Sequence, residues 1–176
     1  MKVSRWRTAT SLCILLTLGA TAQAETKVEL KGVHLCCGAC VNAVNKILKG
    51  VDGVTGVCDQ KGKKVTITAP DNETAQKALD ALAAGGFHGD TGNKDLAMKE
   101  DSGVSTGKVN KLKVVGIHNC CNSCTRDIKN ALKKVDGVKE DTAASRKNSF
   151  EVTGDFDAAQ VIKALNEAGY HAKVEK

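Results

Sequence analysis

Aromatic residues are scarce in this chain of 176 residues: Trp6, Phe87, Phe150, Phe156 and Tyr170 are the whole set. Nucleic-acid bases need stacking platforms, and these scattered rings supply none, so a nucleic-acid partner is not expected. Proline is scarcer still. Pro70 is the only one, and it precedes a helical stretch, so no cis-proline candidate accompanies the cysteines. No Ser/His/Asp set and no pair of opposed carboxylates stands out, which leaves hydrolytic catalysis without support and points away from an enzyme. The only long apolar run, Leu12 to Ala20, is too short to cross a bilayer.

That run belongs to a recognisable leader. Lys2, Arg5 and Arg7 form a basic start, and Ala22-Gln23-Ala24 a small-residue cleavage site. Residues 1–24 are therefore expected to be a secretory signal peptide, which implies a secreted or periplasmic protein with no membrane span once it is removed. Its loss takes three basic residues and no acids, so the formal charge of +6 falls by three, to +3. Cys13 would leave with it. The remaining lysines read as solvated faces.

Cysteine is what the chain has in an unusual form. Cys36, Cys37, Cys40, Cys58, Cys120, Cys121 and Cys124 remain, and six of these seven crowd into two short stretches, HLCCGAC at 34–40 and HNCCNSC at 118–124. Disulfides are the usual reading of cysteine in an exported protein. A disulfide framework spreads its cysteines to staple distant loops, however, and an odd count leaves one thiol over.

The two stretches are copies of one unit. Aligned without gaps, residues 34–54 and 118–138 are identical at ten of twenty-one positions, ending in the shared run VDGV. VTIT then answers FEVT, and GGFH answers AGYH. Residues 91–109, rich in Gly, Ser, Asp and Lys, read as a flexible linker between a first unit at 25–90 and a second at 110–176. In each unit an alternating strand (KVELKGV, KLKVVGI) precedes the cysteines, and a helical stripe follows them: Val41, Val44, Ile47, Leu48 and Val51, answered by Ile128, Leu132 and Val135. Two more strands, a helix capped at Asp71 or Asn72 in one unit and Asp155 in the other, and a last strand starting at Phe87 or Tyr170 complete the order βαββαβ. The expected fold class is α+β: two ferredoxin-like domains, each a four-stranded antiparallel sheet with two helices on one face.

At the heart of each cluster is C-x-x-C, Cys37 with Cys40 and Cys121 with Cys124, at a strand-to-helix junction. The positive end of the helix favours thiolate over thiol. Thiolates are soft ligands suited to Cu(I), Hg(II) and Zn(II) rather than Mg(II) or Ca(II).

Both units resemble heavy-metal-associated domains, the fold of copper chaperones, metal-ATPase N-terminal modules and periplasmic mercury-binding proteins. The resemblance spans residues 27–90 and 111–175. It implies that Cys37 and Cys40 bind one soft ion and Cys121 and Cys124 another, one per domain, with Phe87 and Tyr170 matching the aromatic position near the metal loop. Where the family pattern has Gly-Met-x before C-x-x-C, this chain has His34-Leu35-Cys36 and His118-Asn119-Cys120. Leu35 can replace a buried methionine, whereas Asn119 cannot bury in the same way, so a looser or differently packed second loop is expected.

Cys36 and Cys120 can each add a third thiolate, and His34 and His118 a fourth ligand that would complete a tetrahedral zinc set. The competing readings are a reactive neighbour or disulfide partner for the cysteines and a solvated strand-end residue for the histidines. His88 and His171, which follow the aromatics, are outer-shell candidates. Cys58 has Thr142 as its counterpart and reads as a small buried apolar group outside the site.

The function these features imply is capture, buffering or transfer of soft metal ions by a non-enzymatic, monomeric carrier. Its partners would be the ions and another cysteine-bearing carrier or transporter. A thiol–disulfide redox protein and a metal-free adaptor are the alternatives. The element order is not that of a thioredoxin, which weighs against the first. Cysteines retained in both copies weigh against the second.

Overall fold

The computed structural model describes residues 25–175, so the expected signal peptide lies outside the described residues. The chain runs β1 (Thr26–Lys31), α1 (Gly38–Lys49), β2 (Thr55–Asp59), β3 (Lys64–Ala69) and α2 (Asn72–Ala84). The same order returns in β4 (Lys108–Val115), α3 (Asn122–Leu132), β5 (Val138–Asp141), β6 (Ser149–Asp157), α4 (Ala158–Glu167) and β7 (Lys173–Val174). Both sheets are antiparallel, with strand orders β1-β3-β2 and β5-β6-β4-β7, and the fold class is α+β as expected from the pattern.

Alternation along the central strands builds the core. In β3, Val65, Ile67 and Ala69 point inward while Lys64, Thr66 and Thr68 stay at the half-buried face. The first helix of each unit lays an i, i+4, i+8 stripe on its sheet: Cys40, Val44 and Leu48 in α1, and Cys124, Ile128 and Leu132 in α3. The second cysteine of each C-x-x-C therefore sits on the core-facing stripe, which is why it is buried.

The first unit has three strands rather than four. Its fourth is reduced to one bridge, Lys31 with Asp90, closed by two hydrogen bonds of 2.8 Å. The segments expected to begin the last strands instead pair with each other across the two units, Phe87 opposite Tyr170. His171 N–H donates to the Gly86 carbonyl at 3.1 Å, and the His88 and His34 N–H groups donate to the Gly169 carbonyl at 3.0 and 3.3 Å. A backbone hydrogen bond made across the unit boundary is unavailable to the unit's own sheet.

Residues 92–107 contain no helix or strand. They are nonetheless laid down rather than free, unlike the tether expected from their composition. Leu96 and Met98 are buried, Gln76 Nε2 donates to the Ala97 carbonyl, and Val174 N–H donates to Ser102 at 2.8 Å. Two isolated apolar side chains and these hydrogen bonds anchor an otherwise polar stretch. Of the expected caps, Asp71 accepts from Thr74 N–H at 2.7 Å. In the second unit Asp157, not Asp155, caps α4 by accepting from Ala159 N–H, because β6 continues through residue 157; Asp155 pairs with Lys108. No helix among the described residues is long and apolar enough to cross a membrane.

Candidate metal centre

Each cysteine loop joins a strand to a helix. Cys37 and Cys121 are the N-caps of α1 and α3 in extended backbone (φ −155° and −153°), and Cys40 and Cys124 stand on the third helical position. The antiparallel pairing of Phe87 with Tyr170 brings the two loops face to face. The six sulfurs form one cluster rather than two. Within the loops, Cys37 and Cys40 are 3.8 Å apart and Cys121 and Cys124 3.6 Å. Across the boundary, Cys36 lies 3.6 Å from both Cys121 and Cys124, Cys40 lies 3.6 Å from Cys120 and 3.9 Å from Cys124, and Cys37 lies 4.0 Å from Cys120 and Cys121. All six are free thiols.

The histidines ahead of the cysteines are not solvated strand ends. His34 is 5% exposed and stacks on Tyr170 of the other unit, with ring centroids 4.3 Å apart. His118 stacks in the same way on Phe87, also at 4.3 Å. Each aromatic thus braces the other unit's loop, whereas the resemblance implied only a position near the metal loop. His34 Nδ1 faces Asp127 Oδ2 at 3.7 Å, while Nε2 of both His34 and His118 is buried without a hydrogen-bond partner. Two sets of donor atoms lie mutually within 4.8 Å: His34, Cys36, Cys40 and Cys124, and His118, Cys40, Cys120 and Cys124. A third set joins Cys36, Cys37 and Cys121.

Of the two expectations drawn from Asn119, a looser second loop and a differently packed one, the structure has the second. Asn119 is buried because its amide is satisfied: Nδ2 donates to the Ala144 carbonyl at 2.8 Å and Oδ1 accepts from Thr125 Oγ1 at 2.9 Å. In the first loop Leu35 fills the equivalent place with an apolar side chain. His88 and His171 stand outside the donor sets, stacked on each other at 5.9 Å, with His171 Nε2 2.8 Å from Asp101. Cys58 also lies apart, half-buried rather than buried, with Sγ 3.6 Å from Asn45 Oδ1.

Crowding sets the acidities. The Cys40 and Ala39 backbone N–H groups at the start of α1 stabilise the Cys37 thiolate and lower its pKa to about 7, with Cys40 making the larger contribution. The facing Cys40 thiol, then His34, drives Cys124 far below the ordinary thiol range. That thiolate in turn pushes Cys40 up, while burial first and Cys124 second push Cys36 up and Cys120 to about 12. Without a metal, the cluster favours a thiolate at Cys124 over one at Cys36, Cys40 or Cys120. Burial lowers the His118 pKa, which keeps that ring neutral and able to act as a ligand.

An α+β unit with a thiol cradle at its first strand–helix junction presents the soft donors that heavy-metal ions prefer. The family comparison gives the specific result: residues 111–171, most of the second unit, match the model of the heavy-metal-associated domain. No curated protein matches the sequence. Among solved structures, the chain is similar to the N-terminal soluble domains of Bacillus subtilis CopA, at 16% identity and a TM-score of 0.30, covering 87% of this chain and 95% of that one.

Proposed function

We propose that this protein is an exported carrier that captures, buffers or hands on soft metal ions, with Cu(I), Hg(II) and Zn(II) as the candidate cargo, through its two C-C-x-x-C loops. The first unit, which repeats the loop and the element order of the second, is read as a further heavy-metal-associated domain. The single observation carrying this reading is the convergence of six unpaired cysteine sulfurs within 3.6–4.0 Å contacts at two helix N-termini. A core has no use for six adjacent thiols, whereas a soft cation is stabilised by every one that ionises.

Handover by ligand exchange needs an accessible thiolate. Cys37, half-buried and ionising near pH 7, supplies one at the rim, from which an ion can pass stepwise to a partner's cysteines. The same lowered pKa favours one rival, a thiol–disulfide redox protein. That rival requires two paired sulfurs, and here each sulfur has several equivalent neighbours, an arrangement suited to a multidentate cage. The carrier is read as monomeric and non-enzymatic, acting outside the cytoplasm.

Native mass spectrometry of the reduced chain, offered Cu(I), Zn(II) or Hg(II) without oxygen, tests the proposal. Tightly held ions lost on replacing the clustered cysteines with serine would support it. A chain that retains no ion, and whose unreduced mass is lower by pairs of hydrogens, would overturn it in favour of the redox reading.

A further inference from the structure

The family pattern treats each C-x-x-C as a separate site, but the donor atoms here group differently. The first four-donor set takes His34, Cys36 and Cys40 from one unit and Cys124 from the other; the second takes His118, Cys120 and Cys124 from one unit and Cys40 from the other. The two sets are related by the internal duplication and share Cys40 and Cys124. Their sulfur triangles have the same dimensions. Cys36–Cys40, Cys36–Cys124 and Cys40–Cys124 measure 3.6, 3.6 and 3.9 Å, and Cys120–Cys124, Cys40–Cys120 and Cys40–Cys124 measure 3.6, 3.6 and 3.9 Å.

Those lengths suit a tetrahedral ion better than a linear one. With metal–sulfur bonds of ~2.3 Å, two sulfurs on a tetrahedral ion are about 3.8 Å apart and two on a linear ion about 4.6 Å. The triangles match the tetrahedral edge, and a histidine nitrogen stands by to close each tetrahedron. We propose that the chain holds two tetrahedral divalent ions in one binuclear centre at the boundary of its units, each bound by three cysteines and one histidine, with Cys40 and Cys124 bridging both. The inference rests on the soft-metal reading above and makes it more specific.

Three further observations agree with it. Cys40 and Cys124, the bridging pair, are the two fully buried members of the cluster, at 0% exposure. They face each other from the third position of α1 and α3, where both helix N-termini point at the shared sulfurs. His34 and His118 are held in place by stacking, and each has a buried nitrogen with no partner, a costly arrangement that a metal bond would relieve. Charge also balances. The ions displace to solvent whatever thiol protons remain, and the four thiolates of Cys36, Cys40, Cys120 and Cys124 then cancel the charge of two divalent ions, with both imidazoles neutral. A buried centre with no net charge avoids the desolvation cost that an isolated ion would carry.

The extra cysteine of each loop, Cys36 or Cys120, thereby takes the place that the family pattern gives to Cys37 or Cys121. Cys37 and Cys121 remain half-buried beside the centre as the sulfurs through which ions enter and leave.

The test is zinc stoichiometry of the reduced full chain and its single variants by native mass spectrometry. The wild type is expected to hold two Zn(II). Cys40→Ser and Cys124→Ser should each destabilise both ions, Cys36→Ser should lose one, and Cys37→Ser should keep two. If Cys37→Ser loses one ion while Cys124→Ser leaves the other intact, the sites are separate and the inference is overturned. A measurement on the unmutated chain avoids dependence on buried substitutions: loaded with two cadmium-113 ions, it should give two NMR resonances split by each other through the shared sulfurs, and two unsplit resonances would contradict the bridge. Uptake of Cu(I) without Zn(II) or Cd(II) would overturn the binuclear centre and leave the carrier reading standing. Uptake of none of these ions would overturn both.

Discussion

The His34 ring lies on the Tyr170 ring, 4.3 Å between centroids and 25° between planes, although the two residues belong to different copies of the repeat. Tyr170 also ties that contact to the second loop, since its hydroxyl donates to the Cys124 carbonyl at 3.2 Å. One side chain therefore positions a histidine of one loop against a cysteine of the other. Tyr170→Ala should cost about 3–5 kcal/mol by removing a fully buried ring. Tyr170→Phe keeps the stack and should cost about 1 kcal/mol for the lost hydrogen bond. Urea unfolding of both variants checks this, and equal losses would refute a separate role for the stack.

The two units approach through glycine. Gly86 has φ +83°, and a Cβ there would fall 2.2 Å from the His118 backbone nitrogen; Gly169, at φ +88°, would meet the His34 nitrogen at 2.4 Å. Gly86→Ala is expected to lose about 1–2 kcal/mol to the left-handed backbone alone, with the clash added to it. The more specific expectation is separation of the units, visible as a larger radius in small-angle X-ray scattering. An unchanged radius and an unchanged midpoint would show that the boundary is not held there.

Cys37 should be the thiol that alkylates first in the metal-free protein. Its folded pKa is lowered to about 7 from 9.0, chiefly by the Cys40 backbone N–H, so its reaction with iodoacetamide should rise through pH 7 and level off above pH 8. The same shift has a stability sign. A thiol that ionises more readily when folded adds stability above pH 9.0, and that contribution is lost as pH falls toward 7. Intact-mass analysis after timed labelling reads the rate, and a midpoint near pH 9 would contradict the helix-start explanation.

Acid should loosen the protein before its carboxylates protonate. Burial, with His171 beside it, lowers the His88 pKa to about 4. The unfolded chain takes up a proton near pH 6.5 that the folded ring refuses, so this stability is fully present above pH 6.5 and is lost as pH falls toward 4. The loss is about 2 kcal/mol once partial exposure is allowed for. Comparing urea midpoints at neutral and acid pH for wild type and His88→Gln tests it. Identical pH slopes in the two proteins would remove His88 from the account.

How much of this was legible in the sequence follows from the range of each signal. Periodicity reports which residues face a unit's own core, so the strand and helix order, the Asp71 cap and the burial of Val44, Leu48, Ile128 and Leu132 could all be read directly. The docking of the two units could not. It depends on Phe87 and Tyr170, which within one unit look like ordinary last-strand residues, and their pairing with each other removed strand structure that the pattern had assigned. The seating of Asn119 is hidden from the sequence for a related reason: its partner, the Ala144 carbonyl, is backbone 25 residues away, and no side-chain pattern reports a carbonyl. Spacing picks out the cysteines, but it describes each loop alone. One available signal was the repetition of both histidines, His34 with His118 and His88 with His171, in matching places of the two copies. Residues repeated as pairs at the edges of a duplication are the ones that can meet across its two-fold relation.

The most direct test of the central claim is the X-ray absorption spectrum of the reduced chain loaded with two equivalents of zinc. The expected first shell is three sulfurs at ~2.3 Å and one nitrogen at ~2.0 Å per ion. A shell of oxygen and nitrogen alone would mean that the clustered cysteines do not hold the metal, and the account would fail.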